Sequence, residues 1–202
     1  MPKLYFPYGE AELTHLRKKD KKLAALIDRV GIIKRPINPD PFSALVNSIV
    51  SQQISTKAAA TVSAKLLALC DQMTPQKLNA LSQQEIQSCG MSMQKAGYIK
   101  NIAQAAADKT IDFDALHQKS DQEIIDTLTA IKGVGVWTAE MLLIFSLARP
   151  NVISYGDLGI RRSIMQLYGH KELPKERFLR YARRYAPYGS VASLYLWAMA
   201  AL

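Results

Sequence analysis

The segment Asp157-Leu158-Gly159-Ile160-Arg161-Arg162 holds the chain's clearest candidate for chemistry. The stretch before it, 149–156, carries Pro150, Asn151 and Gly156, so Asp157 stands where a loop turns into a helix. A carboxylate there accepts hydrogen bonds from the first helical amides, those of Gly159 or Ile160. Two readings share that position. In one, Asp157 is a helix cap and nothing more. In the other, the capped, ionised carboxylate faces a cleft and stabilises positive charge that develops on a bound group, or steers a water to it.

A second group is Ile131-Lys132-Gly133-Val134-Gly135-Val136-Trp137-Thr138-Ala139. Two glycines one residue apart, between a capped helix and an apolar one, predict a tight helix-hairpin-helix turn. Gly133 and Gly135 are both expected to take unusual backbone angles and to keep side chains away from a bulky partner. Val134 is expected to point inward as the hinge, and Ile131 to act as a buried anchor. The amides of Gly133 to Val136 lie at the start of a helix, where unpaired donors and the dipole favour phosphate. A plain interhelical turn would use the same glycines. The flanking residues favour nucleic-acid backbone binding.

Charge supports that direction. The chain of 202 residues has a formal net charge of +9, which favours a polyanionic partner, with an anionic membrane the weaker choice. From Asp157 onward, Arg161, Arg162, Lys171, Lys175, Arg177, Arg180, Arg183 and Arg184 outnumber Asp157, Glu172 and Glu176, so positive charge is expected beside Asp157. Cys70 and Cys89 are too few for a disulfide scaffold or a four-cysteine cluster and read as reduced thiols. His15, His117 and His170 lack ligand spacing, so no catalytic metal is expected. No apolar run approaches the ~18 residues of a membrane span. Glu10, Glu12 and the charged run from Arg17 to Lys22 argue against a secretory signal.

These groups must be held by helices. Leu13, Leu16, Leu23, Leu26, Ile27 and Val30 recur at three- and four-residue spacing and predict one helix over 11–30, ended by Gly31. Pro36, Pro39 and Pro41 make 35–41 a connection between lobes. Helices follow over 42–50 and, after Ser55 as cap, over 56–70. Thr74-Pro75 opens a short one to Leu81. Ser82 with Glu85 and Ser120 with Glu123 have capping-box spacing, the second opening a helix to about Thr129. Gly90 stops the helix after Ser82, Ser92 starts one to Ala107, and 112–117 is short. A helix is expected over 136–148. No stretch alternates with period two, so the expected class is all-α, with residues 38–145 as a central lobe and 1–37 with 146–202 as a second.

With these motifs in order, the chain resembles the helix-hairpin-helix, Gly/Pro…Asp superfamily of DNA glycosylases, and within it the 3-methyladenine DNA glycosylase II branch. The resemblance runs from about Asn38 to Ile164 and is carried by Ala44 to Ser55 with Ala58-Ala59, by Ile131 to Ala139, and by Asp157 to Arg162. It implies a two-lobed fold of the compact form, without the extra N-terminal domain of longer bacterial relatives. Double-stranded DNA with alkylated bases is the implied partner, Asp157 the catalytic carboxylate, and a monomer the expected state. The proline usual before the first hairpin glycine is here Lys132, which adds a charge. Members that also cut the strand carry a lysine two positions beyond the second glycine. Here Trp137 stands there, which implies a monofunctional enzyme.

The resemblance further implies a Na+ or K+ ion at the hairpin, held by the carbonyls of Thr129, Ile131 and Val134, and no iron–sulfur cluster. Trp137 is the implied stacking partner for an everted base, with Met141, Tyr155, Trp197 and Phe42 as further pocket residues. Gln53 is the implied wedge into the duplex and Gln52 its neighbour, with Lys132 to Val136, Arg161 and Arg162 on the DNA backbone. Expected substrates are 3-methyladenine, then 7-methylguanine and 1-methyladenine or 3-methylcytosine. The alternatives are a hairpin module that binds without chemistry, or a glycosylase for an oxidised or deaminated base. The expected location is the cytoplasm of a bacterium or the nucleus of a eukaryote.

Overall fold

A computed structural model describes residues 4–200. Among them the elements run β1 (Leu4–Tyr5), α1 (Glu10–Lys19), α2 (Lys21–Val30), β2 (Pro36–Ile37), α3 (Pro41–Ser51), α4 (Thr56–Cys70), α5 (Pro75–Ala80) and α6 (Gln83–Ser88). They continue with α7 (Met93–Ala107), a 3-10 turn (Asp114–Gln118), α8 (Asp121–Thr129), α9 (Val136–Phe145), α10 (Leu158–Tyr168), α11 (Lys175–Tyr185) and α12 (Gly189–Ala200). The fold is predominantly helical and two-lobed. It divides into one unit spanning Asn38–Leu142 and another built from the chain up to Ile37 together with the chain from Leu143 onward.

Two departures from the sequence expectation have clear causes. The single helix over 11–30 is two helices, because Asp20 takes extended angles (φ −150, ψ 110) between them. Its N–H donates to the Leu16 carbonyl and closes α1, while its carboxylate accepts from the amides of Lys22 and Leu23 and opens α2. The connection 35–41 contains an antiparallel bridge, Leu4 opposite Ile37 and Tyr5 opposite Pro36. A ladder of two pairs is too short to show alternation, and proline is tolerated at such an edge because it needs no donor.

In the unit Asn38–Leu142, α7 lies against α3, α5 and α6. Leu45, Val46 and Ile49 of α3 and Ile99, Ile102 and Ala103 of α7 are buried in the core of this unit, as are Leu66, Leu78 and Ile86. Each fully buried aliphatic side chain contributes about 1.5–3 kcal/mol relative to exposure. In the other unit α12 is apolar all round, its buried run from Gly189 to Leu196 contacting α2, α10 and α11. That is the pattern of a central helix.

Asp20 is the polar hub of this second unit. Besides its two capping amides, it accepts from the Tyr168 hydroxyl at 2.6 Å and from Arg184 Nη1 at 2.7 Å, with its side chain only 2% exposed. Burial pushes this carboxyl up, but the hydrogen bonds from Tyr168, the Leu23 amide and Arg184 outweigh it and hold Asp20 below the usual carboxylate range. A carboxyl so held stabilises the fold above its unfolded value of ~3.9, and that stability is lost as pH falls through the lower folded value. Replacing Asp20 with Ala removes a cap and two further hydrogen bonds while the half-exposed Arg184 regains water, so the loss expected at pH 7 is about 2–3 kcal/mol in urea unfolding. The gap between wild type and Asp20→Ala should narrow as the titration proceeds below about pH 4.

Candidate functional site

Asp157 is positioned from two sides. The Ile160 amide donates to Asp157 Oδ1 at 2.9 Å, which makes the carboxylate the N-cap of α10, and the residue is 8% exposed. The loop before it is fastened to the first turns of α12. Ser190 donates its amide to the Pro150 carbonyl and its hydroxyl to that of Arg149, and accepts from the Val152 amide at 2.9 Å. Ser193 donates to the Val152 carbonyl at 3.1 Å, and the Gly189 amide donates to Asn151 Oδ1 at 3.2 Å. A small hydroxyl is what a buried helix needs there, since it satisfies loop backbone that no water reaches. Space is tight at Gly159: a Cβ would come within 3.1 Å of Asp157 Oδ1 and 3.4 Å of the Trp197 ring.

Trp197 therefore stands beside the carboxylate across Gly159. Its ring lies 5.5 Å from that of Phe145, whose other neighbour is the Arg35 guanidinium at 4.7 Å. Sequence reasoning missed Phe145 and Arg35, because their relation to Asp157 runs through α12 and has no local pattern. Tyr155, expected to line the pocket, is half-buried two residues before Asp157. One contact is edge-to-face with Phe178, and the Arg161 guanidinium sits 4.8 Å from its ring, with Arg161 Nε buried and without a hydrogen-bond partner. Arg162 is exposed.

Arg161 and Arg162 lie in the first turns of α10 near Asp157. Of the basic residues that follow α10, Arg184 reaches Asp20 beside Tyr168 at the end of that helix, ~16 Å along its 11 residues, while Phe178 of the same α11 reaches Tyr155.

In the other unit, Ile131 and Val134 are buried as the hairpin's anchor and hinge. Its two glycines have different reasons. Gly133 takes φ +104, and a Cβ on it would fall 2.2 Å from the Tyr98 ring. Gly135 has no positive φ, and a Cβ there would meet open space. The Val134 amide is used inside the turn, donating to the Ile131 carbonyl at 3.0 Å, so it is not a phosphate donor. That leaves the first-turn amides of α9, which lack helical acceptors by construction. Lys132 is exposed and its carbonyl accepts from Asn101 Nδ2 at 3.2 Å, while the Thr129 hydroxyl turns back to the Ile125 carbonyl. Of the carbonyls expected to hold a cation, that of Ile131 thus also accepts the Val134 amide.

Val136 is 54% and Trp137 40% exposed, so the first turn of α9 presents an indole and a row of amides together. Met141, one turn on, is buried. Phe42 is also buried, with its ring edge-to-face to Phe113 at 5.5 Å, which accounts for it as core. A cavity of about 460 Å3 opens beside the hairpin, lined by Asn101, Gln104, Asp108, Ile131 and Lys132 among others.

The turn after α3 has a support that the sequence did not reveal. Gln52 caps α3 and is half-buried, and Gln53 is exposed in the left-handed region at φ 56. Lys95 of α7 donates its ammonium to the carbonyls of Val50, at 2.9 Å, and of Gln52. A cation on the last carbonyls of a helix satisfies orphan acceptors and the dipole at once.

A family model described as HhH-GPD superfamily base excision DNA repair protein matches residues 46–187. DNA-3-methyladenine glycosylase 1 of Schizosaccharomyces pombe is 30% identical over 194 residues, which cover 94% of this chain and 85% of that protein. The crystal structure of DNA-3-methyladenine glycosidase from Bacillus halodurans is similar at a TM-score of 0.83 and 35% identity, covering 99% of this chain and 93% of that one. The 3-methyladenine DNA glycosylase of S. pombe, solved in complex with abasic DNA, gives a TM-score of 0.83 at 30% identity, covering 95% and 97%.

The two hairpin glycines should respond unequally to alanine. Gly133→Ala must strain φ and displace Tyr98, with an expected loss of about 2–3 kcal/mol in thermal or urea unfolding. Gly135→Ala should stay within ~0.5 kcal/mol. Lys95→Met leaves two carbonyls without their donor and should cost about 1–3 kcal/mol in the same measurement.

Proposed function

The chain belongs to the HhH-GPD superfamily of base excision DNA repair proteins, in the branch of the 3-methyladenine glycosylases, and on that premise we propose that it is a monofunctional glycosylase releasing alkylated bases. At the level of the family the reaction is hydrolysis of the bond between a damaged base and its deoxyribose in duplex DNA. The observation that carries the finer reading is Asp157. It is a buried carboxylate at the head of α10, with Oδ1 engaged by the Ile160 amide and Trp197 beside it.

In this reading the first-turn amides of α9 and Lys132 take the phosphates, and Gln53 fills the gap left by the everted nucleotide. The indole of Trp137 stacks on the base. A ring alkylated at nitrogen carries positive charge, and an aromatic face attracts it. The same charge makes the base a good leaving group, because the electron pair of the glycosidic bond neutralises it and no acid is needed. The sugar is left with oxocarbenium character, which the carboxylate of Asp157 stabilises. Water then adds to the anomeric carbon and its proton goes to solvent. The products are the free base and an intact abasic strand. No amine is available at position 137 to form a Schiff base, which supports monofunctional cleavage. 3-Methyladenine is the first expected substrate, followed by 7-methylguanine.

Asparagine at 157 keeps an oxygen for the Ile160 amide, so it preserves the cap and removes the charge. Release of methylated base from duplex DNA, identified by mass, should fall about 100-fold or more in Asp157→Asn, with affinity for abasic-site DNA unchanged within a few-fold. The wild type should leave strands that break only on heating in alkali and that borohydride does not trap. Base release near the wild-type rate by Asp157→Asn would remove the catalytic assignment.

A further inference from the structure

Asp20 does more than end one helix and begin another. By holding Arg184 and Tyr168 it brings two basic segments together that are remote in sequence, the run 17–22 and the helix α11. Lys22 Nζ lies 5.6 Å above the Tyr168 ring, which stacks on Tyr181 at 4.2 Å, and Arg184 covers Tyr181 in turn at 5.3 Å. Helix α11 turns Phe178, Tyr181 and Tyr185 inward, which leaves Arg180 and Arg183 on the outside, with Arg184 beside them but paired with Asp20. Lys18, Lys19, Lys21 and Lys22 are exposed next to them. Asp20 is buried and paired with Arg184, so it cancels that one charge and leaves those of the lysines, Arg180 and Arg183. Arg17 is paired with Glu10 and Asp28 and is not counted.

This surface is not part of the site built around Asp157. The Asp20–Tyr168–Arg184 network on which it is built stands at the opposite end of α10, ~16 Å along its 11 residues, and the buried Phe178 of α11 is the side chain that reaches back to Tyr155. A dense array of cations on a rigid base suits an extended polyanion with closely spaced charge rather than a small anion. Duplex DNA is such a partner, with one charge per ~1.7 Å of axis. A bilayer fits less well, because among the large apolar side chains of α11 only Leu179 is exposed beside the arginines, too little to insert among acyl chains.

We propose that the surface formed by residues 18–22 and the outer face of α11 binds the phosphates of undamaged duplex DNA, as a second contact separate from the lesion site. The inference goes beyond the glycosylase reading and takes from it only that the chain works on duplex DNA. A protein so equipped holds one segment while its site tests another, with an affinity set by counterion release.

The test is binding of a labelled undamaged duplex by anisotropy, with the protein already saturated by an unlabelled duplex containing a tetrahydrofuran abasic site. The second duplex should bind, and its affinity should fall about 100-fold between 50 and 200 mM salt if four phosphates are neutralised. The variant Lys18→Ala, Lys21→Ala, Arg180→Ala, Arg183→Ala should lose at least about tenfold of that affinity at 50 mM salt and keep the wild-type rate of base release. If those four changes lower the melting temperature, the pair Lys18→Gln and Arg183→Gln should show a smaller loss in the same direction. The proposal is overturned if the saturated wild type takes no second duplex, if the folded variants bind it as well as wild type, or if the surface binds phosphatidylserine vesicles and not DNA. A protein that binds the second duplex and releases no base would instead refute the glycosylase reading alone.

Discussion

The first turn of α10 must hold a carboxylate in place without consuming it. A capping aspartate meets that demand, since the Ile160 amide engages Oδ1 and ties the side chain to the backbone of the helix it opens. Everything leading to Asp157 serves that placement. The loop over 149–156 has no regular structure, yet it is anchored by Ser190, Ser193 and Gly189, and those residues sit on the most buried helix of their unit. Serines in a helix that is otherwise apolar look wasteful until their acceptors are traced. They supply the hydrogen bonds that a buried loop lacks.

A similar economy governs the other unit. The hairpin that presents the amides of α9 is shaped by one left-handed glycine lying against Tyr98, and its second glycine leaves space in front of the backbone. The turn after α3 is held from behind by Lys95 while Gln53 stands exposed in a conformation that non-glycine residues seldom adopt. In both places a rigid support lies under backbone that faces outward. This is the arrangement expected where a partner must be met without prior reordering.

The sequence made the helices legible because their signals are local. Capping boxes at Ser82 and Ser120 and the Thr74-Pro75 start all appear where their residues predicted them. The break at Asp20 escaped notice because Leu16 and Leu23 are seven residues apart, a spacing that one continuous helix and two consecutive ones satisfy equally. Asp157 was recognisable as a cap from its position alone, and its chemical reading needed the family resemblance. What pattern could not supply was anything set by tertiary contact. The contact of Phe42 with Phe113 has no local signal, and of the two hairpin glycines only Gly133 takes a positive φ. The link from Arg184 to the basic run at 17–22 passes through Asp20, a carboxylate remote from it in sequence.

The central claim is electrostatic: the charge on Asp157 stabilises a cationic sugar. It is tested most directly by comparing two abasic duplexes, one with a neutral tetrahydrofuran ring and one with a protonated pyrrolidine in its place. The account predicts that the wild type binds the cationic ring more tightly by at least about tenfold, as expected for a group that resembles the transition state, and that Asp157→Asn erases this preference. Equal affinity of the wild type for the two rings, or a preference that survives in Asp157→Asn, would contradict it.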